Sequence, residues 1–569
     1  MTKPLRNMMA IALLLAVGTL VSAHRAAAAP KPALTIAFAG YDQFMDSLKA
    51  LDKLSGHTKL AAKAEANLKS QTHGKGLAGL DKSRPWGVLV SLGENDQPVV
   101  QGYLPVTDLK TLLASVPTPG GEAPAANADG LYELPMGGKT VYAKQKGAWA
   151  VFSDSEETLN SAPADPAPAL ADLPKKYLLS VRGSVQNVPA ASRENFLKSL
   201  RGITELTLAM QQQQSSSEEE RALQSASVKQ LFAKLEKFGK ELDTLVLGVG
   251  LDPSTKALFL DLEARSVKDT DLAKKFEALK DAKTDFAGFA LPGAAITLLS
   301  AGTSDDEDVD SAKAALAGFK AKADKLLDSN EQLGDKREVA KQLLADIMDI
   351  AQKTVELKKS DGGLAVVLDD GPVAVAGGRI AEGAKLEKVL KKLVKELSRD
   401  DPKLADLVKL ITFDAEKYEG VNFHVAKIPV SDPKAADVFG ESVQIVVGIS
   451  PSSLYLGAGK DPIGAIKKVI DASKASPQKA IDPVDLVVSA TPIAKFFAQV
   501  IPGDDDARAK KNFVKAASLL AKSGGKDHIT LTVKAIPRGA TLRLNVESGV
   551  TKTLLNLLPG NDPDDSDEN

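Results

Sequence analysis

The sequence predicts an α+β protein made of two tandem homologous repeats of β-hairpin-plus-helix units, with mostly antiparallel sheets backed by helices. Three observations carry this. Period-two apolar runs pair across short turns, helical stripes follow them, and one series of segments occurs twice in the same order. A chain of 569 residues is expected to hold more than one core. The pattern divides it into a signal peptide (1–28), repeat 1 (30–292), repeat 2 (293–558) and an acidic disordered tail (559–569).

The start has the form of an export signal. Lys3 and Arg6 precede the apolar run "MMAIALLLAVGTLV", and small residues follow, with cleavage expected after Ala23 or Ala28. The run is shorter than the roughly 20 residues that cross a bilayer, so no membrane span is expected once the signal is removed.

In repeat 1, "WGVLVSL" from Trp86 and "PVVQGYL" from Pro98 form a hairpin around "GENDQ". Thr107 or Asp108 then caps a helix carrying Leu109, Leu112, Leu113 and Val116. The outline returns in repeat 2 as "GLAVVL", an Asp370-Gly371 turn, "PVAVAGG" and a stripe of Leu386, Val389, Leu390, Leu393, Val394 and Leu397. Four further correspondences keep the order. "ALTIAFAG" (33–40) matches "AITLLSAG" (295–302). "LYELPMGGKTVYAKQ" with "GAWAVFSD" matches "KYEGVNFHVAKIP" with "SVQIVVGISPSSLYLGAGKD". "YLLSVRG" matches "DLVVSAT", and "LDTLVLGVGLDPSTKALFLDLEA" matches "KDHITLTVKAIPRGATLRLNVES". Loops differ: "PTPGGEAPAANADG" (117–130) and "APADPAPALADLP" (162–174) are expected to be extended and mobile, and "QQQQSSSEEE" (211–220) to interrupt a pair of long helices.

Composition excludes several classes. The apolar share of 44% and charged share of 26% are those of a soluble globular chain. The formal charge of −2, with no basic block, argues against a nucleic-acid partner. Cysteine is absent, which excludes disulfides, thiolate metal sites and a cysteine nucleophile. Export without disulfides points to a periplasmic or secreted protein of a bacterial envelope.

The search for chemistry assigns no catalytic, cofactor-binding or metal-ligating residue. His24, His57, His73, His424 and His528 are scattered, with no HExxH and no pair at i, i+4. His424 and His528 lie in expected strands as polar face residues. Ser476 with Lys479, and Ser431 with Lys434, match SxxK, but Pro477 and Pro433 oppose the helix that would align each pair. "GGRIAEG" (377–383) and "SGGKD" (523–527) read as strand ends and turns. The acidic runs "SDDEDVD" (304–310) and "PGDDDAR" (502–508) read as helix starts, and "DPDDSDE" (562–568) lacks calcium-loop spacing. Trp86 and Trp149 read as anchors of the core or a sheet edge.

The segments "DKSRPWGVLVS" and "GYLPVTDLKTLL" resemble a group of uncharacterised secreted proteins of environmental bacteria. In these a D-x-x-x-P-x-G strand leads to an x-P-V-x-D helix start. The likeness covers about residues 80–113, with looser support from "GLYEL" and "GAWAVFSD". It implies export and an α+β scaffold and transfers no functional residue. Repeat 2 departs from it, having neither the Pro nor the Trp.

The expected function is that of an exported, non-enzymatic binding or scaffold protein of the cell envelope, whose partner is an envelope protein, a peptide or a lipid. One alternative is a periplasmic carrier or chaperone for lipids or proteins. The other is a hydrolase assembled from distant residues, which a deep cleft holding two close carboxylates, or a Ser beside His424 or His528, would favour.

Overall fold

β1 (Leu34–Phe38) is the central strand of a sheet, paired antiparallel with β2 (Trp86–Leu92) on one side and β7 (Leu179–Ser184) on the other. The computed structural model describes residues 31–558 except 73, 94–96, 116–122, 137–138, 213–217, 370, 399–405, 407 and 502–506. The export signal, the acidic tail, Val116, Asp370 and most of "PGDDDAR" therefore lie outside the described residues. The chain divides into two units, one running to Lys274 and taking up Pro537 onward, the other Lys275–Ile536. Helix makes up 46% and strand 31%, which establishes the mixed α+β class with large antiparallel sheets.

Along the first unit, α1 (Tyr41–Ser55) and α2 (Leu60–Gln71) separate β1 from β2. Then follow β3 (Pro98–Pro105), α3 (Leu109–Ala114), β4 (Leu131–Met136), β5 (Lys139–Lys146), β6 (Trp149–Ser153) and α4 (Glu156–Ser161). Two short helices, α5 (Ala167–Leu170) and α6 (Leu173–Lys176), lead into β7. The long helices α7 (Ala190–Gln212) and α8 (Glu218–Glu241) precede the hairpin β8 (Leu242–Leu251) and β9 (Leu258–Ser266). The sheet order is β4-β5-β6-β3-β2-β1-β7-β8-β9, and the far-off strand β21 (Gly539–Val546) completes it beside β9; every pairing is antiparallel.

The cap of α3 is Asp108, whose carboxylate accepts the Thr111 N–H at 2.9 Å. Leu109, Leu112 and Leu113 are buried, as their spacing predicts. The segment 162–174 corrects its expectation of an extended connection. Leu170 and Leu173 are buried in the core formed with Tyr103, Trp149 and Tyr177. Pro168 and Pro174 stand in the first turns of α5 and α6, where proline costs no hydrogen bond.

α9 (Asp271–Ala278) spans the division between the units. The second unit opens with β10 (Lys283–Thr284) and β11 (Ile296–Thr303), then α10 (Asp306–Ser329) and α11 (Arg337–Glu356). Next come β12 (Lys359–Val367), β13 (Val373–Arg379), α12 (Gly383–Ser398), β14 (Ile411–Tyr418), β15 (Val421–Pro429), α13 (Pro433–Phe439), β16 (Ser442–Ile449) and β17 (Ser453–Gly459). α14 (Pro462–Lys474), β18 (Lys479–Ala480), β19 (Val484–Ser489), α15 (Ala490–Val500), α16 (Ala507–Ala521) and β20 (His528–Ile536) complete it; α17 (Ser548–Leu557) follows β21 in the first unit.

The second sheet has the order β14-β15-β16-β17-β13-β12-β11-β19-β20, again antiparallel throughout. Its core packs Phe289, Val375, Phe423, Val446 and Tyr455 against Ile466 and Val469 of α14. The acidic start of α10 forms a capping box: Asp305 accepts the Asp308 N–H at 2.8 Å, and Asp308 reaches back to the Asp305 N–H at 3.4 Å.

Candidate functional site

β8 turns its apolar side chains the unexpected way. Val246, Gly248 and Gly250 face the buried side, while Leu245, Leu247 and Val249 are exposed, Leu247 by 46%. The reason is local. A Cβ on Gly248 would lie 2.4 Å from the Tyr177 ring, and one on Gly250 would lie 2.3 Å from the Phe259 ring. The aromatic rings thus supply the bulk on the inner face.

β9 shows the same inversion. Asp261 and Glu263 are buried, whereas Leu260 is half-buried and Leu262 exposed on the opposite face. Cross-strand pairing extends this apolar face across six strands. One row runs Val88, Ile36, Val181, Leu247, Leu262, Leu542. A second runs Trp86, Phe38, Leu179, Val249, Leu260, Leu544. At the usual strand spacing each row is about 24 Å long. None of these twelve side chains is buried as a whole, and their one polar atom is the Trp86 indole nitrogen, itself buried without a partner, so the face is apolar. Trp86 meets Phe38 edge to face at 4.8 Å within the second row. Trp149 is buried elsewhere in the core, with the Arg84 guanidinium 4.6 Å from its ring centre.

The polar groups that the inversion buries are all paired. Asp261 accepts the Tyr177 hydroxyl at 3.1 Å and two N–H groups of Arg543 at 2.7 and 2.8 Å. Glu263 accepts from Lys176 at 2.9 Å and from Arg265 at 2.6 Å. Burial chiefly pushes the Tyr177 hydroxyl up to about 12. Burial works to raise Glu263 as well, but Lys176 and Arg265 together hold it below the usual carboxylate range.

The second sheet also has a row on the face opposite its core: Leu531, Leu486, Leu298, Leu364, Ala376, Leu456, continued by Val447 and ending at His424. His424 is 3% exposed and packs edge-on against Phe413 at 5.4 Å. Around it stand Glu387 and Lys391 of α12 and Asp414 and Asn422 of the β14–β15 hairpin. Asp414 lies at a register shift of β14 with φ of 52°, which aims its carboxylate at Lys391. The Lys391 ammonium donates to Glu387 at 2.7 Å and to both Asp414 oxygens at 2.8 Å. Asn422 donates to both carboxylates.

Glu387, Asp414 and His424 offer three donor atoms within 4.8 Å of one another, and these are the residues that could hold a divalent cation. Two facts oppose it. Nδ1 of His424 accepts the Asp414 N–H at 3.1 Å, so the ring proton sits on Nε2, which is buried without a partner. The Lys391 ammonium already supplies the positive charge that a metal would bring. The arrangement is a lysine-bridged ion cluster over a neutral histidine. Burial lowers the His424 imidazole below its ordinary range, and Lys391 adds to this while Glu387 and Asp414 oppose it.

His528 stands elsewhere, as the direct cross-strand neighbour of Ser489. Both line an open hollow of about 400 Å³ with Thr297, Thr491, Lys495 and Asp527. The Asp527 carboxylate accepts the Thr491 N–H at 3.1 Å and lies 3.8 Å from His528 Nδ1, beyond hydrogen-bond reach. Ser476 and Lys479 are both exposed and lie outside any helix, and the side chain of Lys434 is not among those described. "SGGKD" is a turn, with Gly524 and Gly525 at positive φ. His57 lies in the connection between α1 and α2, with its Nε2 buried and unpartnered; His24 and His73 lie outside the described residues.

Sequence reasoning missed both the apolar face and the ion cluster. The only signal for the face was the pairing of "LVLGVGL" with "LFLDLEA", where one strand alternates Leu and Gly and the other alternates Leu and acid. No family model, no curated protein and no solved structure matches the chain.

Proposed function

We propose that the chain is an exported, non-enzymatic binding protein of the bacterial cell envelope that holds the aliphatic chains of a lipid on an open sheet face. The observation that carries this is the inversion in β8 and β9: Leu245, Leu247, Val249 and Leu262 face outward while Asp261 and Glu263 are buried. Apolar surface on this scale is usual where a ligand or partner covers it. A peptide would be held by main-chain hydrogen bonds at a sheet edge. The rows described above lie on a face and offer no such bonds, which favours aliphatic chains.

Export is supported by the order of basic, apolar and small residues before Ala28. The duplication is supported by the two sheet orders, in each of which the first long strand is central, the hairpin partner lies to one side and the strand before a helical pair to the other. Among the described residues no helix is long and apolar enough to cross a membrane.

The test is native mass spectrometry of the chain purified gently from its own cell envelope. A co-purifying mass that organic extraction releases as a lipid is expected. A bare chain that also fails to bind a fluorescent fatty acid would overturn the reading.

A further inference from the structure

α7 and α8 form an antiparallel pair whose base is fixed by Arg193, which donates to the Gly239 carbonyl at 2.7 Å and to Gln186 at 2.9 Å. Leu197, Thr204 and Leu208 are half-buried, while Phe196, Leu200, Ile203, Leu206 and Met210 are exposed, Ile203 by 64%. At about 100° per residue the exposed five fall within roughly 60° on either side of Ile203, a continuous stripe along the helix.

The stripe is a palindrome about Ile203. Leu200 and Leu206 lie three residues before and after it, Ser199 and Thr207 four, and Phe196 and Met210 seven. When two copies of one helix cross antiparallel about a two-fold axis, a residue before the axis meets the residue equally far after it. Ile203 then meets its own copy, Leu200 meets Leu206, and Phe196 meets Met210. These three contacts join apolar to apolar, and Ser199 faces Thr207. The stripe carries no charged residue, so its copy brings no like-charge repulsion. Arg201 and Glu205 lie on the rear of the helix and bond each other at 2.9 Å. Gly202, beside the crossing point, has open space where its side chain would be.

We infer that this face of α7 binds a second copy of the chain, as a two-fold antiparallel helix pair centred on Ile203. The inference is independent of the lipid reading, since no residue of the two apolar rows lies on α7.

The chain has no cysteine, so a single introduced thiol reports on one place. Ile203→Cys is expected to give a covalent dimer under mild oxidation, and Glu205→Cys, on the rear face, to stay monomeric. By light scattering on a size-exclusion column the unaltered chain is expected to be dimeric at micromolar concentration. Ile203→Glu is expected to weaken the dimer at least tenfold, about 1.4 kcal/mol, with unchanged circular dichroism. An unaltered chain that is monomeric up to about 100 μM, a range that covers weak self-association, would overturn the inference. So would a dimer that survives Ile203→Glu, or equal cross-linking at positions 203 and 205.

Discussion

Asp261 and Arg543 occupy directly opposed positions of β9 and β21, and the guanidinium donates one hydrogen bond to each carboxylate oxygen, at 2.7 and 2.8 Å. The carboxylate is fully buried and the guanidinium partly exposed. Removing the arginine leaves a buried charge held only by Tyr177 and the more distant Lys176. Arg543→Leu is therefore expected to cost about 3 kcal/mol in urea unfolding. The double variant with Asp261→Leu is expected to cost less than this single one, because it removes the stranded charge. A double variant costing more than Arg543→Leu would show that the pair does not act as a unit.

The sheet face yields a prediction about binding without stability. Leu247 is exposed, so Leu247→Glu is expected to leave the unfolding midpoint within about 2 °C of the unaltered chain. It places a charge in the middle of an apolar row, and fluorescent fatty-acid binding is expected to weaken at least tenfold, about 1.4 kcal/mol. Unchanged binding would place the ligand elsewhere.

The inner side of the same strand behaves oppositely. Gly248 leaves the space that the Tyr177 ring fills, and an added methyl would meet that ring at 2.4 Å. Gly248→Ala is expected to destabilise the first unit by about 1–3 kcal/mol, as overpacking does. The readout is chemical unfolding, with Gly183→Ala in β7 as the contrast, where the nearest atom to an added methyl would lie 3.9 Å away.

His424 sets a pH dependence. Its folded pKa is lowered, chiefly by burial, from the ordinary 6.5. The unfolded chain therefore takes up this proton first as pH falls. The associated stability is fully present above about pH 6.5 and declines as pH drops toward the folded value. His424→Leu, compared with the unaltered chain at pH 7.5 and pH 5.5, is expected to lose less stability on acidification. An equal loss in both would show that His424 is not the group that titrates.

Much of the fold was legible because local rules acted alone. The β2–β3 hairpin, the Asp108 cap of α3 and the Asp305 capping box follow from residues within a few positions of one another. The orientation of β9 does not. Its alternating leucines match a core-facing strand, and the outcome is decided by Tyr177 and Lys176 from one side and Arg543 from the other, the last 282 residues away. The cluster at His424 was hidden for a similar reason. Glu387, Asp414 and His424 come from a helix, a bulged strand and a regular strand, so their sequence spacing matches no motif.

The placement of β21 bears on how the chain comes to be built. The strand that closes the first sheet emerges after every strand of the second unit during synthesis, and it must return to β9 across the whole of the second unit's sequence. Until it arrives, β9 presents an unpaired edge, and Asp261 waits without its arginine. A chain cut after Ile536 would leave β9 uncovered and Asp261 without Arg543, so the first unit matures only after the second unit's sequence has been made.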